Sequence, residues 1–284
     1  MSWATFSAII GIKSGKGNPA LPLSPLAWHN RFVLQARWTR EIRTYLFKQT
    51  RELHNNRILE IGCGTGAIIN ETISIIGNYD TRRTKKIGYA HFFGLDLNFN
   101  YLLLASNLVP EAELTQGDAH ILPYPRNCFG IVICHFLLLW VTSPEVVVTE
   151  MARVTAPGGA VFVLAEPDYG GRIDYPLELE QLGIWQQEAL KSQGAEPNLG
   201  RQLASILKKA GLQNIEVGVL GEQWNGKLEN DEWESEWVVL LSDLQNYVPL
   251  ERLEQLQNID ANAWKRGDRI LYVPTFYGWG RVPK

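Results

Sequence analysis

The stretch Leu59-Glu60-Ile61-Gly62-Cys63-Gly64-Thr65-Gly66 closes one apolar run and opens another. Glycines at alternate positions between a predicted strand and a predicted helix let backbone approach a ligand closely, because any side chain there would fill the gap. The dinucleotide fingerprint is G-x-G-x-x-G, followed about 20 positions later by an acid for the ribose. Here the spacing is G-x-G-x-G. Glu60 precedes the first glycine, and a carboxylate in that place repels a pyrophosphate but favours a cationic ligand. The alternative is a tight strand-to-helix turn with no ligand, in which Glu60 accepts hydrogen bonds from loop amides.

Outward from this loop the chain alternates strand and helix. Strands are predicted at Arg57 to Ile61, Gly88 to Leu95, Ala112 to Gln116, Ile131 to Cys134 and Ala160 to Ala165, with helices after Gly66, through Tyr101 to Leu108, and at Glu145 to Arg153. Repeated βα units predict a parallel sheet covered on both faces, with ligands outside the carboxyl ends of its strands. Before the loop, Leu26 to Thr50 reads as one amphipathic helix, with Leu34, Trp38, Ile42 and Tyr45/Leu46 on its apolar stripe and Arg37, Arg40 and Arg43 elsewhere around it. The Gly-, Pro- and Ser-rich stretch ahead of it reads as an extended arm. After Pro167, helices are predicted at Leu177 to Gln193 and Leu199 to Ala210, and a strand at Asn214 to Leu220. A helical insertion at about 222–266, a lid or an interface, then precedes a last strand at Arg269 to Phe276.

Several positions on the expected ligand edge carry chemistry. Asp96 ends the second strand, where a carboxylate can accept hydrogen bonds from vicinal ribose hydroxyls; a helix N-cap is its structural alternative. Asp118, in Gly117-Asp118-Ala119, could accept from an adenine amino group or simply close a turn. His135 follows the fourth strand. The loop "AEPDYGGRIDYP" offers Asp168, Tyr169 and Arg172, the last suited to an anion. The "NYDTRRTKK" charge run reads as a solvated loop.

Together these segments resemble the class I S-adenosylmethionine-dependent methyltransferases, in particular the group similar to ubiquinone/menaquinone-biosynthesis methyltransferases. The resemblance rests on "LEIGCGTG", "GLDLN", "GDAHILPYP…FGIVICHFLLLWV", "EMARVTAPGGAVFVLAEPD" and "LASILKKAGLQNIEV", from about Ile58 to Leu220. Two departures are visible. Gly130 stands where such sequences usually carry Asp, and the gap before Asp96 is long. The resemblance implies a Rossmann-like α/β fold, a seven-stranded and mostly parallel sheet with its last strand antiparallel, here Arg269 to Phe276. Residues 1–50 would be an arm and cap helix, and 51–284 the methyltransferase domain. S-adenosyl-L-methionine would be held by Glu60, Gly62, Cys63, Gly64, Thr65, Gly66, Asp96, Leu97, Asp118, Ala119 and His135.

Methyl transfer from a sulfonium is an in-line displacement, and positioning with exclusion of water can supply much of the catalysis. A base is needed only when the nucleophile carries a proton of high pKa. His135, His120, Asp168 and Tyr169 are the candidates, His135 having core packing as its alternative. Trp38, Phe136, Trp140, Tyr169 and Arg172 could line a small-molecule acceptor pocket, and Gln35, Arg37 and Arg40 could cap the cofactor. Two other classes stay open. One is a cofactor-binding interaction protein on the same fold, and the other is a nicotinamide oxidoreductase.

Composition agrees with a globular chain. It has 284 residues, 45% hydrophobic and 20% charged, and its net charge of −3 gives no reason to expect nucleic acid or an anionic membrane as partner. Cys63, Cys128 and Cys134 show no metal-ligand spacing, so no metal is expected, and an odd count favours a reducing, cytoplasmic setting. No signal peptide or membrane span is expected, since "CFGIVICHFLLLWV" is short for a bilayer and reads as a buried strand. The insertion could also join two copies into a homo-oligomer.

Overall fold

The computed structural model describes residues 24–50, 55–80, 90–221 and 230–284. The expected arm, most of "NYDTRRTKK" and the start of the insertion lie outside these residues.

Five strands, β1 (Arg57–Ile61), β2 (His91–Asp96), β3 (Ala112–Gln116), β4 (Phe129–His135) and β5 (Thr155–Pro167), run parallel, and β7 (Gln213–Leu220) and β9 (Thr275–Arg281) complete the sheet. The order is β3-β2-β1-β4-β5-β9-β7, with β9 antiparallel to both of its neighbours. The sequence therefore reads correctly as a seven-stranded, mostly parallel sheet whose last strand is antiparallel.

Strand parity sorts the core into two layers, since successive side chains point to opposite faces. Leu59, Ile61, Val132, Cys134, Val161 and Val163 face α5 (Pro144–Val154) and α7 (Leu203–Lys209). Ile58, Ile131, Ile133, Phe162 and Leu164 face α2 (Arg40–Gln49), α3 (Ala67–Asp80) and α4 (Phe99–Leu108). A third core, with Leu182, Trp237, Leu240, Leu244 and Leu253, holds α6 (Glu180–Ser192), α8 (Asn230–Leu244) and α9 (Leu250–Arg266) together.

Two expectations are corrected. Leu26 to Thr50 is two helices, α1 (Pro25–Trp38) and α2, broken at Thr39. The Thr39 hydroxyl is engaged by His135 Nε2 at 2.9 Å and by Arg43, which fastens the turn to the end of β4. Arg43, placed by periodicity off the apolar stripe, is fully buried and ion-paired with Glu71, while Trp38 on that stripe is 40% exposed. The second correction concerns Arg269 to Phe276, which is not one strand. β8 (Ile270–Tyr272) pairs with β6 (Ile173–Tyr175) in a separate two-stranded sheet, and β9 begins only at Thr275. Between them stands Pro274, which has no N–H to donate to a ladder. Its carbonyl accepts from Asp168 N at 2.8 Å.

The departure at Gly130 has a steric cause. A Cβ there would lie 2.0 Å from the carbonyl oxygen of Asn55, so any larger residue would push the chain entering β1 away.

Candidate functional site

Register decides where the site is. Ile61 of β1 pairs with Leu95 of β2 on one side and with Cys134 of β4 on the other. The residues next along each strand, Gly62, Asp96 and His135, therefore reach the same edge together. The sheet order reverses here, since β1 leads outward through β2 to β3 and the chain returns to place β4 on the other flank of β1. Crevices at such switch points are where open α/β sheets bind ligands.

The loop leaving β1 needs its glycines for conformational reasons as well as for access. Gly62, Gly64 and Gly66 have φ of 70°, 52° and 82°, a region that L side chains rarely adopt. Added Cβ atoms would also meet Leu137 at 2.8 Å, Phe32 at 3.2 Å and Val109 at 2.6 Å. The loop is fastened by Gly62 N and Cys63 N, which donate to Leu95 O at 2.7 and 3.0 Å. Gly64 N donates to Asp96 Oδ2 at 2.7 Å, and Asn98 N to Asp96 Oδ1 at 2.8 Å. Each carboxylate oxygen keeps a further lone pair for a ligand hydroxyl. The helix-cap role falls not to Asp96 but to Asn98, whose side chain caps α4.

A cavity with about 950 Å³ of empty space, part of it open to solvent, extends from this edge. Its floor is Glu60, Gly62, Cys63, Gly64 and Asp96; His135, Phe136, Leu137 and Trp140 at the end of β4 form its middle. Trp28, Arg31, Phe32 and Gln35 of α1 cover it, and Tyr169, Leu190, Val239 and Asp243 close the far side. The cover is latched to the glycine loop by His29 Nδ1 and Thr65 Oγ1, 2.8 Å apart, and to α8 by Arg31 with Glu236 at 2.8 Å.

Two buried carboxylates in the lining have an oxygen with no hydrogen-bond partner, Glu60 through Oε2 and Asp243 through Oδ1. Burial pushes the Glu60 carboxyl well up, Asp96 adds to this, and Arg43 opposes it. Burial also raises Asp96, against the pull of the Asn98 and Gly64 amides. A cationic group entering this end would restore both to their charged forms. His135 is the reverse case. Burial, and then Arg43, hold its imidazole well below the usual range, so it is neutral at pH 7 while it bonds to Thr39.

The structure gathers Glu60, Gly62, Cys63, Gly64, Asp96, His135, Phe136, Trp140, Tyr169 and Gln35 into one cavity. It does not bring in the other candidates. Thr65, Gly66 and Leu97 stand just behind the lining, and Arg37 and Arg40 are exposed. Asp118 is outside the lining with its carboxylate on His120 N and Nδ1 at 2.8 and 2.7 Å, and Ala119 packs against the core. Asp168 is clasped by Arg201 through two hydrogen bonds, at 2.5 and 2.6 Å. Arg172 is spent on Asp174 at 2.6 Å and Gln186 at 2.6 Å. Trp38 lies on the surface under Arg31 at 5.1 Å.

Sequence reasoning missed Trp28, Arg31, Phe32 and Asp243 in the lining, and Glu166 behind it. Glu166 accepts from Leu137 N, Leu138 N and Leu139 N at 3.0, 2.8 and 3.1 Å, which fixes the turn after β4; burial pushes its carboxyl up to about 7. An acid at the end of an otherwise apolar strand was the available signal for Glu166.

Residues 59–163 match a family model described as a methyltransferase domain. The chain is 28% identical over 172 residues to an uncharacterized methyltransferase of Schizosaccharomyces pombe, covering 56% of this chain and 57% of that one. It is 34% identical over 117 residues to the ubiquinone/menaquinone biosynthesis C-methyltransferase UbiE of Stutzerimonas stutzeri, covering 39% and 42%. The chain thus spans about half the length of these relatives. Among solved structures, YcgJ of Bacillus subtilis superposes with a TM-score of 0.51 at 17% identity, covering 86% of this chain and 99% of that one. At that identity the likeness shows the fold. Among the described residues no helix is long and apolar enough to cross a membrane.

Proposed function

We propose, from the premise that residues 59–163 form a class I S-adenosylmethionine-dependent methyltransferase domain, that the cavity binds S-adenosyl-L-methionine and transfers its methyl group to a small molecule by in-line displacement. The observation that carries this reading is the Glu60 carboxylate, buried at the glycine loop with one oxygen unpartnered and a second acid, Asp96, beside it. Two acids at this end suit a sulfonium bearing an amino group and oppose a pyrophosphate.

When bound, the cofactor supplies a methyl group on an activated sulfur. The chain's own residues do the rest. Asp96 would accept from the ribose hydroxyls, Glu60 would face the positive charge, and the loop amides around Gly62 to Gly66 would meet the amino-acid portion. Phe32, Phe136 and Trp140 wall the space beyond, which excludes water from the reacting atoms. His135, neutral and tied to Thr39, serves as wall and anchor for the α1–α2 turn rather than as a strong base. Asp118 and Ala119 would reach adenine only by a movement of their turn toward the lining.

Calorimetry tests the reading. S-adenosylmethionine and S-adenosylhomocysteine are expected to bind and NAD to give no heat; tight NAD binding with no response to the other two overturns it. A protein that binds both cofactor forms yet methylates no member of a broad acceptor panel would be the interaction protein considered above.

A further inference from the structure

The cavity lining holds an acid with one carboxylate oxygen that no protein group partners. Asp243, on α8, is 3% exposed, and Gln186 Nε2 donates to its Oδ2 at 3.0 Å. Gln193 approaches the same carboxylate, but no donor reaches hydrogen-bonding geometry with Oδ1. An amide would take the Gln186 bond equally well without the cost of burying a charge. The carboxylate lines the cavity with Tyr169, Leu190 and Val239.

The rest of the wall indicates what such an acid would face. Aromatic side chains of Trp28, Phe32, Phe136, Trp140 and Tyr169 surround the space, and the one cation among the described lining residues, Arg31, is neutralised by Glu236 at 2.8 Å. Ring faces and a carboxylate together are a setting for a cationic nitrogen. An anionic acceptor would meet three acids and no uncommitted cation among the described lining residues.

We propose that Asp243 selects the acceptor and takes its proton, and that the acceptor is a small primary or secondary amine. This rests on the reading of the cavity as a methyl-donor site. The amine enters as its ammonium form and passes one proton to the Asp243 carboxylate. The freed lone pair forms the new carbon–nitrogen bond while the carbon–sulfur bond breaks and leaves its electron pair on sulfur. The products are a methylated ammonium ion and a neutral thioether, and Asp243 returns its proton to solvent. Burial, reinforced by Glu236, pushes the Asp243 carboxyl up to about 7, where a base is effective at neutral pH. Charged or titratable groups facing it are Glu236 on its own helix, Arg31 on α1, and Tyr169 and Arg172 after β5.

The test is binding, without turnover. Protein saturated with S-adenosylhomocysteine is titrated by calorimetry, near pH 8, with benzylamine, benzyl alcohol and benzoate, which share a ring and differ in the polar group. Benzylamine is expected to bind at least about tenfold tighter than the other two. Asp243→Asn should erase that preference, change S-adenosylhomocysteine affinity less than about threefold, and Asp243→Glu should restore part of it. Benzyl alcohol or benzoate binding as tightly as benzylamine, no benzylamine binding at all, or a preference that survives Asp243→Asn each overturns the proposal. The wild-type selectivity decides the matter even if the Asn variant does not fold. Failure of S-adenosylhomocysteine to bind overturns the donor-site reading as well, whereas its binding without amine preference overturns this one alone.

Discussion

Glu60 and Asp243 bring the same chemistry to one cavity, yet their surroundings are built differently. At Glu60 the positions are set by strand register, three neighbouring strands ending in step and a loop pinned by short backbone hydrogen bonds. At Asp243 the positions are set by side chains. Arg269 bridges Asp174 at 2.7 Å and Asp260 at 2.5 Å, Asp260 also accepts from the indoles of Trp233 and Trp237, and Arg172 joins Asp174 to Gln186. A backbone ladder tolerates side-chain change; a buried charge network does not. The proposed donor end, around Glu60, is therefore expected to be robust in geometry and sensitive to backbone, and the proposed acceptor end, around Asp243, sensitive to single charges.

The strongest way to break that contrast is Arg269→Met, which leaves buried Asp260 without its cation and takes one of two from Asp174. Denaturant unfolding should show a loss of about 3–5 kcal/mol. A loss under about 1 kcal/mol would mean the network is solvated and the contrast false.

Next in size is Gly66→Ala, where a positive φ is joined to a Cβ 2.6 Å from Val109, and thermal unfolding should register about 2–4 kcal/mol.

Glu166 supplies a pH test at the donor end. Its carboxyl lies near 7 folded against about 4.5 unfolded, so its stabilising contribution is full below about pH 4.5 and is lost as pH rises to about 7, by roughly 3 kcal/mol. Unfolding of Glu166→Gln followed across that window should show a flatter decline than wild type; parallel curves would remove Glu166 as the cause.

For binding, Asp96→Ala should weaken S-adenosylhomocysteine by about 1–3 kcal/mol, and unchanged affinity would take Asp96 out of the site.

The smallest effect sharpens the comparison. Gly267 ends α9 with φ 77° and nothing within 4 Å of an added Cβ, so Gly267→Ala should cost only about 1 kcal/mol, well below Gly66→Ala. Equal costs would mean that the clash with Val109 relaxes freely.

Much of the donor end was legible in sequence because its signals are local. Glycines with an acid just before them at a strand-to-helix turn, and the continuous apolar runs of β4 and β5, each lie within a few positions. The acceptor end was not. Trp28 and Asp243 are over 200 positions apart and meet only because α1 and α8 pack over the same strand ends. Asp243 sits beside Leu244 at the margin of a helix's apolar stripe, where periodicity reads it as solvated. Arg43 was misread for the same reason, since a helical wheel cannot know that Glu71 and Thr39 wait on the buried side. Arg172 and Asp168 had the right chemistry and the right loop, but Asp174, two residues on, and Gln186 had claimed the first, and Arg201 the second.

By itself, then, the sequence determined the parallel sheet and the ligand edge at Gly62 and Asp96, because strand periodicity and turn chemistry act over a handful of residues; the antiparallel last strand was implied by the family resemblance alone. Which charges stay free to act was decided only by the tertiary structure. An ion pair formed across the chain occupies Asp168, while burial leaves one oxygen each of Glu60 and Asp243 without a hydrogen-bond partner, and neither condition is written in any local pattern.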